Sequence, residues 1–284
     1  MEAGKSRNLK VDGNLLVSLI YNQAGSVSKS LLEAVMNSID AESSEVRVYL
    51  DIDGIHYEVH DNGIGFRSTD EIQKYFEVFG FDHSKDSRKR IYGQFGMGRA
   101  QLWAFSRTVF YSNQFSMDVN IKARGLTYIP GEIDEPIKGT KIIGEFYNKK
   151  TPLELDECKR DLKEMVAYTP IPVYLNDELI STVPSTKNWS IENNDAYFDF
   201  KGVTGLKIYN KGIFVCSYPA WKFGIGGVVV SKKRLELNMA RNDVVVAKCE
   251  VWKRIAQIVR KKGLIKTKKK KGINDDDRFS LIRS

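Results

Sequence analysis

The spacing of apolar residues predicts an amphipathic helix over residues 29–41. Its apolar positions recur at three- and four-residue intervals: Leu31, Leu32, Val35, Met36 and Ile39. The segment Ser28-Lys-Ser30 supplies N-cap candidates at its start. One face of this helix is therefore suited to a core, and a polar face remains beside it.

Other patterns extend this prediction to the whole chain. The predicted helices are 14–22, 71–79, 98–106, 153–167 and 248–260, the last ended by Gly263. The predicted strands are 45–51, 55–60, 107–112, 116–122, 126–130, 139–147, 173–175, 198–200, 205–210, 213–217 and 227–230. These elements divide near residues 183–187 into a larger segment of helices and strands and a smaller one of strands and a closing helix.

The composition is that of a globular protein. The chain has 284 residues, of which 42% are hydrophobic and 28% charged, enough for two modest domains. No apolar run is long enough to span a bilayer, and the first residues lack a signal-peptide core. Cys158, Cys216 and Cys249 lack metal-ligand spacing. We therefore expect reduced thiols and a cytoplasmic protein, or a nuclear one in a eukaryote, that is not secreted and has no membrane partner.

The net charge of +8 is concentrated near the end of the sequence. Lys266 and the run Lys268–Lys271 form a basic block that precedes an Asp cluster. We predict that residues 264–284 form a disordered basic tail. Such a tail is either a solvated segment or an electrostatic contact to nucleic acid.

Three polar residues on the first predicted helix share one face. Glu33 and Asn37 are four residues apart, and Asp40 follows three residues later. Glu33 is suited to act as a general base for a water molecule. Asn37 offers a hard oxygen to Mg²⁺, which takes few protein ligands. The alternative is an ordinary polar surface.

A turn motif follows the strand at 55–60. It reads Asp61-Asn-Gly63-Ile-Gly65. Asp61 at the strand end can accept a hydrogen bond from an exocyclic amine such as that of adenine, and the glycines permit close backbone approach. The alternative is a plain hairpin turn.

A Gly-rich loop precedes the helix at 98–106. It reads Gly93-Gln-Phe95-Gly96-Met-Gly98, and N–H groups at such a helix start can bind phosphate. The loop lacks the Lys-Ser/Thr of a Walker motif and the spacing of a dinucleotide fingerprint, which disfavours both folds. A Gly-Thr pair, Gly139-Thr140, then enters a strand.

Together, in this order, these motifs resemble the GHKL ATPases. The Gly-rich loop and Gly139-Thr140-Lys141 look most like the ninety-kilodalton heat-shock chaperones. The segment from Arg234 to Asn242 resembles their middle-domain loop, which supplies an arginine to the γ-phosphate. The departures are Ala240 and Asn242 within that loop, Arg-Ala-Gln-Leu-Trp after Gly98, and a chain too short for the chaperones' dimerisation domain.

The resemblance implies a fold and a division of the chain. The fold is a two-layer α/β sandwich of the Bergerat type, followed by a smaller α+β transducer domain. The implied domains are 1–183 for ATP binding, 184–263 for the transducer and 264–284 for the tail.

The resemblance also assigns roles and cofactors. ATP and Mg²⁺ are the expected ligands, with Glu33 and Arg241 catalytic and Asn37 at the metal. Asp40 and Thr140 would lie around the base or its waters beside Asp61. A lid is expected to run from Arg67 to Tyr92, with Lys85 reaching a phosphate from it. The residues expected to line the phosphate side and to hinge the lid are Gly93, Phe95, Gly96 and Gly98. Lys232 or Lys233 is the rival to Arg241, as in the gyrase and MutL branch.

Three functional interpretations remain open. The first is an ATPase that couples nucleotide state to lid closure, domain docking and ATP-dependent dimerisation. The second is a DNA-associated clamp of the MutL or gyrase type. The third is a non-hydrolysing ATP-binding module in a larger complex with partner proteins. A histidine kinase is disfavoured, since no phosphoacceptor His precedes the motifs.

Overall fold

The computed structural model describes residues 12–79, 92, 98–202, 204–238 and 241–269, with the side chains of Gln23 and residues 267–269 outside that description. The chain forms two compact units. The first consists of the described part of Met1–Leu162 together with Val173–Glu178. The second consists of the described part of Lys163–Pro172 and Leu179–Ser284. The predicted functional division at 183–184 stays a prediction.

Helices and a mixed sheet build the first unit. The helices are α1 (Gly13–Ala24), α2 (Val27–Asp40), α3 (Thr69–Ile72), α4 (Ile121–Arg124) and α5 (Pro152–Met165), with a π-helical turn at Gln73–Glu77 and a 3-10 helix at Gly98–Ala104. The strands are β1 (Val46–Leu50), β2 (His56–Asp61), β3 (Ser106–Val119), β4 (Tyr128–Phe146), β5 (Val173–Leu175) and β6 (Glu178–Leu179). Among the described residues the strand order is β3-β4-β2-β1-β5-β6. The fold is thus the expected α/β class.

Helix α2 covers the predicted segment but begins two residues earlier, at Val27, so the predicted N-cap candidates Ser28 and Ser30 are wrong and lie inside the helix. The Ser26 Oγ caps its start by accepting a hydrogen bond from the Lys29 N–H at 3.2 Å. The apolar stripe is buried, with Leu31 and Val35 fully covered, and the helix packs against β1, β2 and the 3-10 helix. Ser30 and Ser38 are buried with this stripe, whereas the charged and amide residues Glu33, Asn37 and Asp40 are half-buried or exposed.

The sheet register brings three distant residues into one row. Asp61 at the end of β2 pairs with Thr140 of β4, and Thr140 pairs in turn with Ser112 of β3. Beyond Ser112 the ladder is irregular around Asn113, which has a φ of +50°. Bulges of this kind absorb a break in register without ending a strand. The four short strands predicted between 107 and 147 are therefore two long ones.

The second unit is a sheet backed by one long helix. Its elements are β7 (Ile191–Glu192), β8 (Ala196–Asp199), β9 (Gly205–Asn210), β10 (Ile213–Pro219), α6 (Ala220–Phe223), β11 (Gly227–Ser231) and α7 (Glu250–Lys269). The strand order across the described residues is β10-β9-β11-β8-β7. Phe198, Ile208 and Val229 of the sheet share a core with Trp252 and Ile255 of α7.

Helix α7 corrects the predicted start of the tail. It continues to Lys269, although Gly263 was expected to end it. Gly263 is buried, and a Cβ there would collide with the carbonyl oxygen of Phe223. The glycine thus permits close packing of α7 on α6 and does not end the helix, so the prediction of disorder is wrong for residues 264–269. The rest of the predicted tail, 270–284, lies outside the described residues. In the part of the chain that is described, no helix combines the length and apolarity needed to cross a membrane.

Candidate active site

The polar face of α2 presents three carboxylate and amide side chains at different depths. Glu33 and Asp40 are half-buried, whereas Asn37, one turn after Glu33, is exposed. The three follow one another along the helix face predicted from their spacing. This face therefore offers an acid and an amide oxygen within one helical turn.

Asp61 is anchored by three donors. Its Oδ1 accepts hydrogen bonds from the backbone N–H groups of Gly63 at 2.9 Å and Thr140 at 3.2 Å. Its Oδ2 accepts one from the Ser38 Oγ at 2.9 Å. Because burial disfavours the charged form, the pKa of Asp61 is raised, although the donors from Gly63, Ser38 and Thr140 oppose this shift.

The two oxygens of Asp61 differ in what they can still accept. A carboxylate oxygen has two lone pairs, and both N–H donors converge on Oδ1. Oδ2 has one described donor, and the single hydroxyl proton of Ser38 has a second acceptor in the Ala34 carbonyl at 3.1 Å. Oδ2 is thus the oxygen with capacity to accept a further hydrogen bond from a ligand.

The turn after Asp61 is not a plain hairpin. The strand β2 has β1 and β4 as neighbours, and the next strand along the chain, β3, is not paired with it. The Ile64 N–H donates to the Ala41 carbonyl at the end of α2, at 2.9 Å. Gly65 has a φ of +60°, and a Cβ there would collide with the Ser112 hydroxyl and the Gly139 carbonyl. The Gly63–Gly65 segment is therefore fixed against the end of α2 and against the strands β3 and β4.

Ser112 and Asn113, which sequence reasoning missed, hold this turn. The buried Ser112 Oγ accepts from the Phe66 N–H at 2.8 Å and donates to the Gly139 carbonyl at 3.0 Å. It also lies 3.3 Å from the Thr140 Oγ1. The Asn113 Nδ2 donates to the carbonyls of Ile64 and Phe66 at 3.2 and 2.7 Å. Both residues stand in an ordinary alternating strand pattern, so no local signal marked them.

Asp40 contacts the beginning of the Gly-rich loop. Both of its carboxylate oxygens accept from the Tyr92 N–H, at 3.1 and 3.2 Å. Burial, together with the nearby charge of Asp40, raises the pKa of the Tyr92 hydroxyl. Asp40 thus fixes the backbone at residue 92, and its predicted role around a base stays a prediction.

Gly98 lies directly against Glu33. A Cβ at Gly98 would collide with the Glu33 carboxylate, so only glycine permits this approach. The next residue, Arg99, donates from Nε to the Phe76 carbonyl at 2.9 Å and from Nη2 to the Val78 carbonyl at 3.0 Å. The start of the 3-10 helix is thereby fixed beside the candidate base. The predicted phosphate-side residues Lys85, Gly93, Phe95 and Gly96 lie outside the described residues.

In the second unit, Arg241 lies in a tight loop between Leu237 and Val244, which form an isolated bridge. Asn238 closes this loop: its Oδ1 accepts from the Asn242 N–H at 3.1 Å and its Nδ2 donates to the Asn242 Oδ1 at 2.8 Å. Arg241 has a φ of +54°, a conformation that is uncommon for residues other than glycine. The loop therefore holds the arginine backbone in one defined geometry.

The rival lysines are engaged in ion pairs within the same unit. Lys232 pairs with Glu192, and Lys233 contacts Asp195 at 2.8 Å. Asp195 also accepts two hydrogen bonds from Arg254, at 2.7 and 2.9 Å. Arg254 and, after it, Lys233 hold the pKa of Asp195 well below its usual range. A role for either lysine at a phosphate would require breaking such a pair.

The described residues contain no group of three or more His, Cys, Asp or Glu side chains that could hold a metal ion by themselves. Mg²⁺ does not require such a group, because it is commonly bound through one or two protein oxygens plus substrate phosphates and waters. The exposed amide oxygen of Asn37 fits that mode.

The structure thus brings several predicted residues together. Asp61, Gly63 and Thr140 form one hydrogen-bonded cluster, and Gly65 packs beside it against Ser112 and Gly139. Glu33 lies against Gly98. Arg241 belongs to the second unit. The first unit as a whole presents a fixed acceptor oxygen, a half-buried acid and an amide, which suits a nucleotide better than an apolar ligand.

Comparison with known proteins agrees with this arrangement. No curated protein matches the chain. Residues 25–141 match the family model described as Histidine kinase-, DNA gyrase B-, and HSP90-like ATPase. That description groups the three classes, so it does not single out the chaperone branch. The match includes the Glu33, Asp61 and Gly98 motifs and supports the GHKL superfamily, whose ATPase domain the segment 25–141 resembles.

Proposed function

We propose that this protein binds ATP in its first unit and hydrolyses it with Mg²⁺. The observation that carries the proposal is the Asp61 carboxylate, whose Oδ1 is saturated by two backbone donors while Oδ2 can accept another. An adenine amine is a donor of the required kind. Ser38 and Thr140 hold the carboxylate before any ligand arrives.

Glu33 is the proposed general base. It is half-buried, and the absence of a side chain at Gly98 leaves the backbone against its carboxylate. A base in this position would take a proton from the water that attacks the γ-phosphate. Asn37, one turn further along α2, would hold Mg²⁺, whose charge would neutralise phosphate oxygens.

Arg241 is the proposed contact from the second unit to the γ-phosphate. The closed loop of Asn238 and Asn242 supports this role, because it orders the arginine backbone before a ligand is present. A guanidinium is permanently charged and fits phosphate oxygens in pairs. ATP would then stabilise docking of the two units, and hydrolysis would release it. Dimerisation with ATP is part of the same proposal.

Titration calorimetry with ATP and ADP, combined with phosphate-release measurements in Mg²⁺ and in EDTA, tests the proposal. We expect ATP to bind and phosphate to be released only with Mg²⁺. Binding without turnover would favour the alternative of a non-hydrolysing ATP-binding module. A lack of ATP binding at millimolar concentration would overturn the proposal altogether.

A further inference from the structure

One tryptophan of the second unit is unusually accessible. Trp221 on α6 is 66% exposed, whereas Trp252 on α7 is 2% exposed. Trp189 is held by its own contacts, since its ring stacks on Tyr197 at 5.4 Å and its Nε1 donates to the Pro184 carbonyl at 2.7 Å. Of these three tryptophans, Trp221 alone presents most of its surface to solvent.

Basic side chains lie on both helices in this part of the unit, with one carboxylate beside them, that of Asp243, which accepts from the Tyr218 hydroxyl at 2.7 Å. Lys222, the next residue on α6, lies with its Nζ 4.1 Å from the centre of the Tyr218 ring. On α7, the exposed side chains include Lys261, Lys262 and Lys266. The one acidic residue in the α7 sequence is Glu250 in its first turn, so its last described turns carry a single sign of charge.

The contact at Gly263 brings these two groups together. Because a Cβ at Gly263 would collide with the Phe223 carbonyl, the backbone of α7 touches the end of α6, two residues from Trp221. Residues three apart share a helix face, so Lys266 lies on the Gly263 side of α7. Lys262 flanks the same contact. The α6–α7 seam, defined by this backbone contact, therefore lies two residues from Trp221 and next to Lys262 and Lys266.

We propose that this seam binds single-stranded nucleic acid, with Trp221 stacking on a base and Lys222, Lys262 and Lys266 contacting phosphates. Sequence-tolerant binding of single strands combines these two elements, a positive surface and aromatic side chains on which bases stack. A duplex conceals its base faces within its own stack, so this surface favours a single strand. The proposal is independent of ATP binding.

A lipid surface fits the seam less well. Of the exposed aliphatic residues of α7, Leu264 lies about 100° from Gly263, on the side opposite Lys262, and Ile265 lies about 200° away. Ile265 therefore faces away from the contact with α6, and Leu264 is the one exposed aliphatic residue of the last described turns that could join an apolar face with Trp221. The apolar face that α7 does have, including Trp252, Ile255 and Val259, is buried in the core of the unit.

The test uses the full chain without nucleotide and a fluorescein-labelled oligo(dT) of about 20 nucleotides, a length chosen to exceed the site of one small domain. Anisotropy is measured across a range of salt concentrations, with a duplex of equal length and phosphatidylserine vesicles as competing probes. We expect Trp221→Ala to weaken oligo(dT) binding about tenfold or more. Trp221→Phe, which keeps an aromatic face, should recover most of the affinity.

The lysine variants test the contribution of the positive surface. Lys262→Gln and Lys266→Gln should each lower the slope of log K against log salt by about 0.7 for every phosphate that the side chain neutralises in the parent. Two controls are Lys201→Gln, at an exposed lysine elsewhere in the unit, and Leu179→Ala, at an exposed leucine. Neither control should change the oligo(dT) affinity or the salt slope. Trp221→Ala should leave the salt slope unchanged.

Several results would overturn the proposal. They are a lack of oligo(dT) binding by the parent at low salt, equal binding by the parent and Trp221→Ala, and duplex binding as tight as single-strand binding. Tight binding to the vesicles with none to the oligonucleotide would assign the seam to a membrane surface. Because Trp221 is exposed, thermal unfolding of the variants should match the parent, which separates a defect in binding from a defect in folding.

Discussion

The Asp61 cluster and the Arg241 loop are both candidates to contact a nucleotide, and the two regions fix their residues by different means. At Asp61 the side chain itself is fixed, by donors from the backbone of two segments and from Ser38. At Arg241 the backbone is fixed, by the Asn238 carbonyl that accepts from its N–H at 2.9 Å and by the positive φ.

This difference matters for how each region responds to a substitution. Removing the Asp61 carboxylate disturbs contacts that exist without a ligand, since Gly63, Thr140 and Ser38 lose a common acceptor. Shortening Arg241 beyond Cβ leaves the Asn238–Asn242 closure of the loop in place. Variants at Asp61 should therefore affect both stability and binding, whereas variants at Arg241 keep the hydrogen bonds between Asn238 and Asn242 that close the loop.

Glu33→Ala should produce the largest change. Loss of a general base slows the chemical step by about 10²–10⁴-fold, while nucleotide binding by the Asp61 cluster should remain nearly intact. Phosphate release under saturating ATP, together with calorimetric ATP affinity, measures the two effects. Glu33→Gln keeps the side-chain size beside Gly98 and should be equally slow. Turnover at the parent rate in either variant would remove Glu33 from the role of base.

Arg241→Ala should have the next largest effect. A charge-assisted hydrogen bond contributes about 1.5–3 kcal/mol, so hydrolysis should slow about tenfold to a hundredfold, with ADP affinity unchanged. Small-angle scattering with an ATP analogue should show compaction in the parent and not in the variant.

Matched lysine variants sharpen this result. Lys233→Ala removes a partner of Asp195 but leaves Arg254 in place, so it should cost stability and leave hydrolysis unchanged. If Lys233→Ala or Lys232→Ala slows hydrolysis and Arg241→Ala does not, the lysine is the residue that contacts the γ-phosphate.

Asp61→Asn should weaken nucleotide affinity by about five- to a hundredfold, because an unpaired buried polar group costs about 1–3 kcal/mol. An amide can present a donor to the adenine amine and to the Gly63 and Thr140 N–H groups. Calorimetry with ADP isolates the binding effect from the chemistry. Affinity equal to that of the parent would remove Asp61 from the base-binding role.

The raised pKa of Asp61 adds a pH dependence with a defined sign. The carboxylate must be ionised to accept from the ligand, so ADP affinity should fall as the pH decreases through this raised pKa, above the ordinary 3.8. The stability contribution has the opposite sign: it is present below 3.8 and is lost as the pH rises through the folded-state pKa. In Asp61→Asn both dependences should disappear. A parent affinity that does not fall as the pH decreases toward the ordinary carboxyl pKa of 3.8 would contradict this assignment.

The parts of the fold that the sequence predicted have local signals. Helix α2 has a regular apolar stripe, and Asp61 precedes two glycines at the end of a strand. These features act over a few residues, so a single segment is sufficient to identify them. The same holds for the predicted face of Glu33 and Asn37.

What the sequence could not predict depends on contacts between distant segments. The Ser112–Phe66 hydrogen bond joins residues 46 positions apart, and the contact of Asp40 with Tyr92 joins residues 52 apart. A glycine such as Gly263 is a common signal for the end of a helix. Here the helix continues, and the glycine is needed because a side chain at this position would collide with the Phe223 carbonyl. Local sequence patterns cannot predict such contacts, because the partner residue of each contact lies in a distant segment of the chain.

Ser112→Ala should have the smallest effect, and it tests whether the Asp61 cluster depends on its support from β3. The substitution leaves the Phe66 N–H without its acceptor and removes the donor to the Gly139 carbonyl, the residue before Thr140. Since a neutral hydrogen bond contributes about 0.5–1.5 kcal/mol, ADP affinity should fall about two- to tenfold. The matched control is Ser106→Ala, at a buried serine of the same strand that contacts Tyr57 at 2.8 Å. The control should lower the melting temperature without changing ADP affinity. If both variants lower the melting temperature alike and neither changes affinity, Ser112 supports the fold only, and the geometry of Asp61 does not require it.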